Sequence, residues 1–409
     1  MSLIHPFAGL RPAPGRAAEV AAPPYDVMTA AEARRLVVGR PWSFLHVSRA
    51  EADLPEDQDP YAPEVYARAR ANLDRMLAEG VLIRDPAPRY YVYRLIMGGQ
   101  AQTGLVASAS VAAYDAGRIK KHEFTRPAKE DDRVRQIEAL AAQTGPVFLV
   151  HRATPAIDEP LARITLTPAE VDISAADGVR HQLWPIEDSA EIDRLTAAFE
   201  ALDGLYIADG HHRAAAASRV AANRASVDGT TRDSGFLAVI FPHDQMRILD
   251  YNRVVRDLDG QDIPAFLDRL AAHYVVDRSA TPVKPAGPGE LGLYLSGQWY
   301  RLTPAAPLAE SVDPVATLDV SLLQTRILDP ILGIRDPRRD DRIDFVGGIR
   351  GLEGLIQRVD SGEMALAFAL HPTGMEDLMA VADAGAVMPP KSTWFEPKLA
   401  DGLVSLVLD

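Results

Sequence analysis

The run Leu205-Tyr206-Ile207-Ala208-Asp209-Gly210-His211-His212-Arg213 carries the densest chemistry in the chain. Four residues able to fill a buried strand are followed by an acid, a glycine, two histidines and an arginine, and then by the Ala-rich stretch AAAASRVAAN. Such a pattern places a turn at Asp209-Gly210 and starts a helix at His211. A helix start exposes backbone N–H groups that have no partner within the helix, with about half a positive charge. Gly210 lacks the side chain that would keep a ligand away. His212 and Arg213 add donors, and an arginine can grip a phosphate through two parallel bonds. Together they describe an anion site, most naturally one for phosphate. In the plainer alternative, Asp209 merely caps the helix.

A second cluster runs from Lys120 to Arg133 (KKHEFTRPAKEDDR). Glu123 can hold Mg²⁺ or accept a hydroxyl proton. Lys121, Arg126 and Lys129 can neutralise phosphate charge. Asp131 and Asp132 fall in an early helical turn, where acids are favoured in any case. Asp26, after the rigid Pro23-Pro24, is a candidate second carboxylate. Lys391, in the run Met388-Pro389-Pro390-Lys391-Ser392-Thr393, is a candidate phosphate ligand, as is Lys398. The remaining histidines, His5, His46, His151, His181, His243, His273 and His371, are scattered, and no pair has a metal-ligand spacing, which argues against a His-based zinc site.

These residues need a scaffold of strands and helices. Thr29 and Glu32 have capping-box spacing and open a short helix to Val38; Tyr61–Glu79 has helical apolar spacing. Arg89–Met97 and Gln102–Tyr114 read as strands joined through Gly98-Gly99-Gln100. Pro127–Ala142 reads as a helix, Val147–His151 as a strand, and Asp188–Leu202 as a helix whose capping box pairs Asp188 with Glu191. Further strands are expected at Phe236–Phe241, Arg253–Val255, Gly292–Leu295, Trp299–Leu302, Met364–Ala369 and Val404–Leu408. Helices are expected at Ile263–Ala272, Val320–Leu328, Leu352–Val359 and Met375–Ala382. The fold class is therefore mixed, α+β or α/β, in two lobes. Residues 279–290 (SATPVKPAGPGE) are rich in Pro and Gly and read as a linker between an N-terminal lobe, 1–278, and a C-terminal lobe, 291–409.

Composition narrows the function. The 409 residues hold 43 Lys plus Arg against 57 Asp plus Glu, a net charge of −14, which disfavours a nucleic-acid partner. The absence of cysteine excludes disulfides, thiolate-bound metals and a thiol nucleophile, and fits a cytoplasmic location. No apolar stretch is long enough to span a membrane, and residues 1–16 do not read as a signal peptide. A homo-oligomer is compatible with everything in the sequence.

Asp209-Gly210-His211-His212-Arg213 on a strand–turn–helix resembles the phosphate-binding motif of the ParB/sulfiredoxin-like superfamily, and its wording is similar to that of free serine kinases. Sulfiredoxins carry a reactive cysteine where this chain has His211, which excludes their chemistry. ParB proteins carry Gly-Glu-Arg-Arg and a helix-turn-helix, and neither is present here. The whole chain also resembles a widespread prokaryotic family of uncharacterised proteins, through Ala22-Pro23-Pro24-Tyr25-Asp26-Val27, His122-Glu123, Lys129-Glu130-Asp131-Asp132-Arg133, Asp209–Arg213 and Met388–Thr393. The resemblance implies a ParB/sulfiredoxin-like nucleotide-binding core and a second C-terminal lobe.

The expected function is a nucleotide-dependent phosphotransferase using ATP or ADP with Mg²⁺. Its acceptor is a small hydroxylated metabolite, with free L-serine suggested by the kinase resemblance. Gly210, His211, His212 and Arg213 would hold phosphates, Glu123 and Asp209 the metal, and Glu123 or Asp26 the hydroxyl proton. Arg213 would neutralise charge on the transferred group. A nucleotide-responsive switch without turnover and a phosphate-ester hydrolase are the alternatives.

Overall fold

The computed structural model describes residues 2–228, 234–308 and 311–408. They are mixed α and β and form two compact units. One comprises residues 1–246 with 397–409, the other residues 247–396. The division thus falls at 246/247 and 396/397 instead of within 279–290. The Pro/Gly segment 279–290 joins Tyr274–Ser279 to Leu291–Leu295, and both of these strands pair with Gln298–Pro304. Its prolines and glycine turns interrupt hydrogen bonding locally, which reads as a linker in sequence, while the strands on either side belong to one sheet.

The first unit is built on a nine-stranded sheet. Its order is Ile119–Lys120, Leu205–Asp209, Val147–His151, Gly235–Pro242, Gln100–Ser110, Tyr90–Met97, Arg180–Ile186 and Val171–Ser174, with Ile4–His5 also paired to Gln100–Ser110. Leu205–Asp209 runs parallel to Ile119–Lys120 and antiparallel to Val147–His151. The hairpin expected at Gly98-Gly99 is present, and both glycines have positive φ, the conformation such a turn requires. Its second strand ends at Ser110, short of Tyr114: Ser110 accepts from the Ala113 N–H and caps a five-residue helix, Val111–Asp115. A core of Leu, Ile, Val, Phe and Trp side chains, with Leu149, Leu205 and Ile207 among them, fills one face.

Helix Pro127–Leu140 lies against helix His211–Asp228 through Val134, Ile137, Ala216 and Val220. That small apolar contact carries the charged 120–133 segment to the start of the motif helix. A four-stranded sheet orders Leu82–Arg84, Gly9–Pro12, Ser405–Val407 and Ala142–Gln143. It returns the C-terminal segment to the first unit. The capping box at Thr29 and Glu32 forms as expected. The one expected at Asp188 forms only in part: Asp188 accepts from the Ala190 N–H, while Glu191 pairs with Arg163 and Arg194.

The second unit has an antiparallel six-stranded sheet, in the order Tyr274–Ser279, Gln298–Pro304, Leu291–Leu295, Leu366–Ala369, Tyr251–Val255, Ile343–Gly347. Helix Gly351–Asp360 covers it through Leu355 and Val359. The helix expected at Val320–Leu328 is α-helical over Asp319–Leu323 and widens to one π turn over Gln324–Leu328. Among the described residues no helix is long and apolar enough to cross a membrane.

Candidate functional site

Strand Leu205–Asp209 loses register against Val147–His151 between Ile207 and Asp209. A bulge of this kind re-aims the side chains that follow it. Gly210 then takes φ +96°, a conformation that L side chains rarely adopt, and the chain enters helix His211–Asp228. The Gly210 carbonyl accepts from the Arg213 and Ala214 N–H groups (2.9 and 3.1 Å). The first intrahelical bonds therefore begin at Gly210, and the N–H groups of His211 and His212 have no acceptor within the helix.

The two charged segments meet here. The His122 N–H donates to His211 Nε2 (3.3 Å), and the Arg126 N–H donates to His212 Nε2 (3.0 Å). The His122 and His211 rings pack edge to face with centroids 4.5 Å apart. Glu123 Oε2 lies 3.8 Å from His211 Nδ1. One nitrogen of each histidine and a Glu123 oxygen lie within 4.8 Å of one another. The absence of a local His spacing concealed this, because the two histidines come from segments joined only by the fold. Burial pushes the His122 pKa down to about 4. Burial, reinforced by His122, also pushes His211 well below its ordinary value. Both rings are therefore neutral near pH 7.

Arg213 is buried and folds back over Gly210. A Cβ on Gly210 would sit 3.0 Å from its Nε. Its guanidinium donates to the Pro146 carbonyl and lies 3.5 Å from Asp26 and 3.8 Å from Asp209. Burial alone would lower its pKa; Asp26 and Asp209 outweigh that and raise it. Arg213 is thus a fixed positive charge behind the helix start.

Asp209 meets two cations. Lys398 Nζ donates to Oδ2 at 3.1 Å, and Arg213 faces Oδ1. Burial pushes its pKa up, but Lys398 and Arg213 prevail and hold the carboxyl well below the ordinary range. A divalent cation at Asp209 would face like charge on both oxygens, so the expectation that Asp209 ligates metal gives way to an ion-pairing role. Glu123 is the remaining carboxylate of that pair, and its side chain is 52% exposed.

Three of the other candidates lie on the surface around this start. Lys121 Nζ sits 3.9 Å above the Tyr114 ring, Lys129 Nζ donates to the Tyr61 hydroxyl (3.1 Å), and Arg126 is exposed. Asp131 and Asp132 are structural: Asp131 pairs with Arg219, and Asp132 holds the Tyr66 hydroxyl and Arg133. Lys391 belongs to the second unit, where its ammonium lies 5.6 Å from the Tyr251 ring centre.

Sequence reasoning missed Asp401. It is 1% exposed, and among the described residues neither carboxylate oxygen makes a well-formed hydrogen bond. It lines a small cavity with Tyr25, Arg133, Gln143 and Arg213. Burial pushes its pKa up to about 7 despite the neighbouring Arg213. No local motif signals it, because its neighbours lie hundreds of residues earlier in the chain.

Among solved structures, a conserved hypothetical protein from Pyrococcus furiosus aligns with 73% of this chain and 94% of its own, at 14% identity and TM-score 0.34. A free serine kinase in complex with AMP aligns over 73% and 92%, at 14% identity and TM-score 0.35. SbnI with a C-terminal truncation, from Staphylococcus aureus, aligns over 74% and 87%, at 10% identity and TM-score 0.38. Likenesses this distant carry no argument about activity. No curated protein matches the chain. A family model does match, over residues 4–321, and the chain therefore belongs to the family described as protein of unknown function (DUF1015).

Proposed function

We propose that the protein is a nucleotide-dependent phosphotransferase with a ParB/sulfiredoxin-like phosphate-binding core, acting on a small hydroxylated metabolite. Free L-serine is the first acceptor to test, and ATP or ADP the donor. The observation that carries this reading is the junction of the Asp209–Arg213 helix start with the Lys121–Lys129 segment through His122–His211 and Arg126–His212. It sets unpaired helix N–H groups beside a half-exposed carboxylate and three exposed cations.

In this reading the N–H groups of Gly210, His211 and His212 face phosphate oxygens, and the neutral imidazoles put no like charge against a cation nearby. Arg213 stays paired and supplies positive field from behind. Lys121, Arg126 and Lys129 neutralise the outer phosphate charge. Glu123 takes the acceptor's hydroxyl proton as that oxygen bonds to the terminal phosphorus. The bond from phosphorus to its bridging oxygen breaks, and the nucleotide leaves one phosphate shorter. Mg²⁺, where it accompanies the nucleotide, would neutralise phosphate charge, and Glu123 fits it as a ligand whereas Asp209 does not.

Incubation with ATP or ADP, Mg²⁺ and a panel of hydroxylated amino acids, followed by phosphorus NMR, tests this. A new phosphomonoester that disappears in Glu123→Gln supports it; no acceptor-dependent product with any nucleotide counts against it. One observation favours a second reading, a nucleotide-responsive switch. Arg213 is already held by Asp26 and Asp209 and does not reach outward. Tight nucleotide binding without acceptor-dependent turnover would select that alternative.

A further inference from the structure

The His122 ring is 2% exposed, and its buried Nδ1 has no hydrogen-bond partner among the described residues. It belongs to a group of two histidines and one carboxylate, His122, Glu123 and His211, that offer ligand atoms within 4.8 Å of one another. Leaving a buried acceptor without a donor is costly, so a native structure keeps one where something else fills the need. A bare imidazole nitrogen in such a group has the chemistry of a metal-ligating histidine. The adjacent residue is Glu123, and the tautomer of the second histidine suits it. His211 Nε2 accepts from the His122 N–H, so its proton sits on Nδ1, facing Glu123 Oε2 at 3.8 Å.

We propose that His122 Nδ1 and the Glu123 carboxylate bind a divalent transition-metal cation, with His211 orienting Glu123 through its Nδ1–H. A nitrogen donor selects against Mg²⁺, which demands oxygen ligands in a tight octahedron, and towards Mn²⁺ and Zn²⁺. Two protein ligands leave the remaining positions open, as catalytic sites do and closed structural sites do not. Asp209 takes no part, because Lys398 and Arg213 hold it. The identity of what fills the open positions, phosphate oxygens of a nucleotide, rests on the phosphotransferase reading; the metal site itself does not.

The test uses the full chain stripped with EDTA and then dialysed free of chelator. Zn²⁺ is titrated in competition with a chromophoric chelator, and Co²⁺ binding is followed by its visible absorption. One equivalent of Zn²⁺ is expected, with Mg²⁺ unable to displace it at equal concentration. Glu123→Gln, at a half-exposed position that preserves the fold, and His122→Gln are each expected to weaken Zn²⁺ binding by at least about 10-fold. No Zn²⁺ bound by the wild type, or equal binding by wild type and both variants, overturns the site. ADP binding is measured separately in EDTA. ADP binding without Zn²⁺ binding sinks the metal site and spares the nucleotide reading. Zn²⁺ binding without affinity for any nucleotide supports the metal site and sinks that reading.

Discussion

Replacing Asp401 by Asn changes how stability depends on pH, and the sign follows from burial. The Asp401 carboxyl is 1% exposed, and among the described residues neither oxygen makes a well-formed hydrogen bond. Its pKa rises from 3.8 to about 7 on folding. Between those values the unfolded chain releases this proton and the folded chain keeps it. The folded state therefore binds more protons, and stability falls as pH rises through that window. A separation of this size corresponds to roughly 4 kcal/mol at 1.36 kcal/mol per unit, an order-of-magnitude figure. Asparagine keeps the shape and does not ionise. Urea unfolding of wild type and Asp401→Asn, followed by tryptophan fluorescence at pH 4 and at pH 8, measures the effect. The Asn variant should gain on the wild type by a few kcal/mol at pH 8 relative to pH 4. A difference between the two proteins that does not change with pH would refute the reasoning, and would mean that Arg213 or a buried water already stabilises the charged form.

Three further outcomes are expected. His122 is held neutral with its pKa near 4, against 6.5 for the unfolded side chain, so its contribution to stability is full above pH 6.5 and is lost as pH falls towards 4; His122→Gln should flatten the acid limb of a pH–stability curve by about 3 kcal/mol. Gly210→Ala combines φ +96° with a Cβ placed 3.0 Å from Arg213 Nε, and should lower stability by about 1–3 kcal/mol in denaturant unfolding. Glu123→Gln should reduce phosphoryl transfer by roughly 10²–10⁴-fold in a steady-state assay while the ADP affinity measured in EDTA stays unchanged.

Much of the scaffold around the motif was legible. Leu205–Asp209, Val147–His151 and helix Pro127–Leu140 stand where apolar spacing, Pro at a first turn and the Asp-Gly break place them. These signals are local, and local chemistry decides such elements. The strands Val171–Ser174 and Arg180–Ile186 were missed, because edge pairing and the Trp184 packing that support them are tertiary. The unit boundary was misplaced for a related reason: prolines and glycines mark any irregular connection, whether it lies between units or within a sheet. In the site, residue types were readable but partners were not. The meeting of His122 with His211 depends on Val134 and Ile137 packing against Ala216 and Val220. Lys398 was noted as a phosphate ligand, yet it reaches Asp209 because the C-terminal strand Ser405–Val407 pairs with Gly9–Pro12 and Ala142–Gln143. Asp401 had no signal at all, since a buried acid in a C-terminal tail reads as an ordinary surface residue.

In the proposed function the start of helix His211–Asp228 receives a nucleotide's phosphates. A crystal structure of the protein grown with ADP tests it most directly. Phosphate oxygens within hydrogen-bond distance of the Gly210, His211 or His212 N–H groups, beside Glu123, are the predicted result. An ADP molecule bound elsewhere on the chain, with Arg213 and the two histidine rings still closing the helix start, would contradict it.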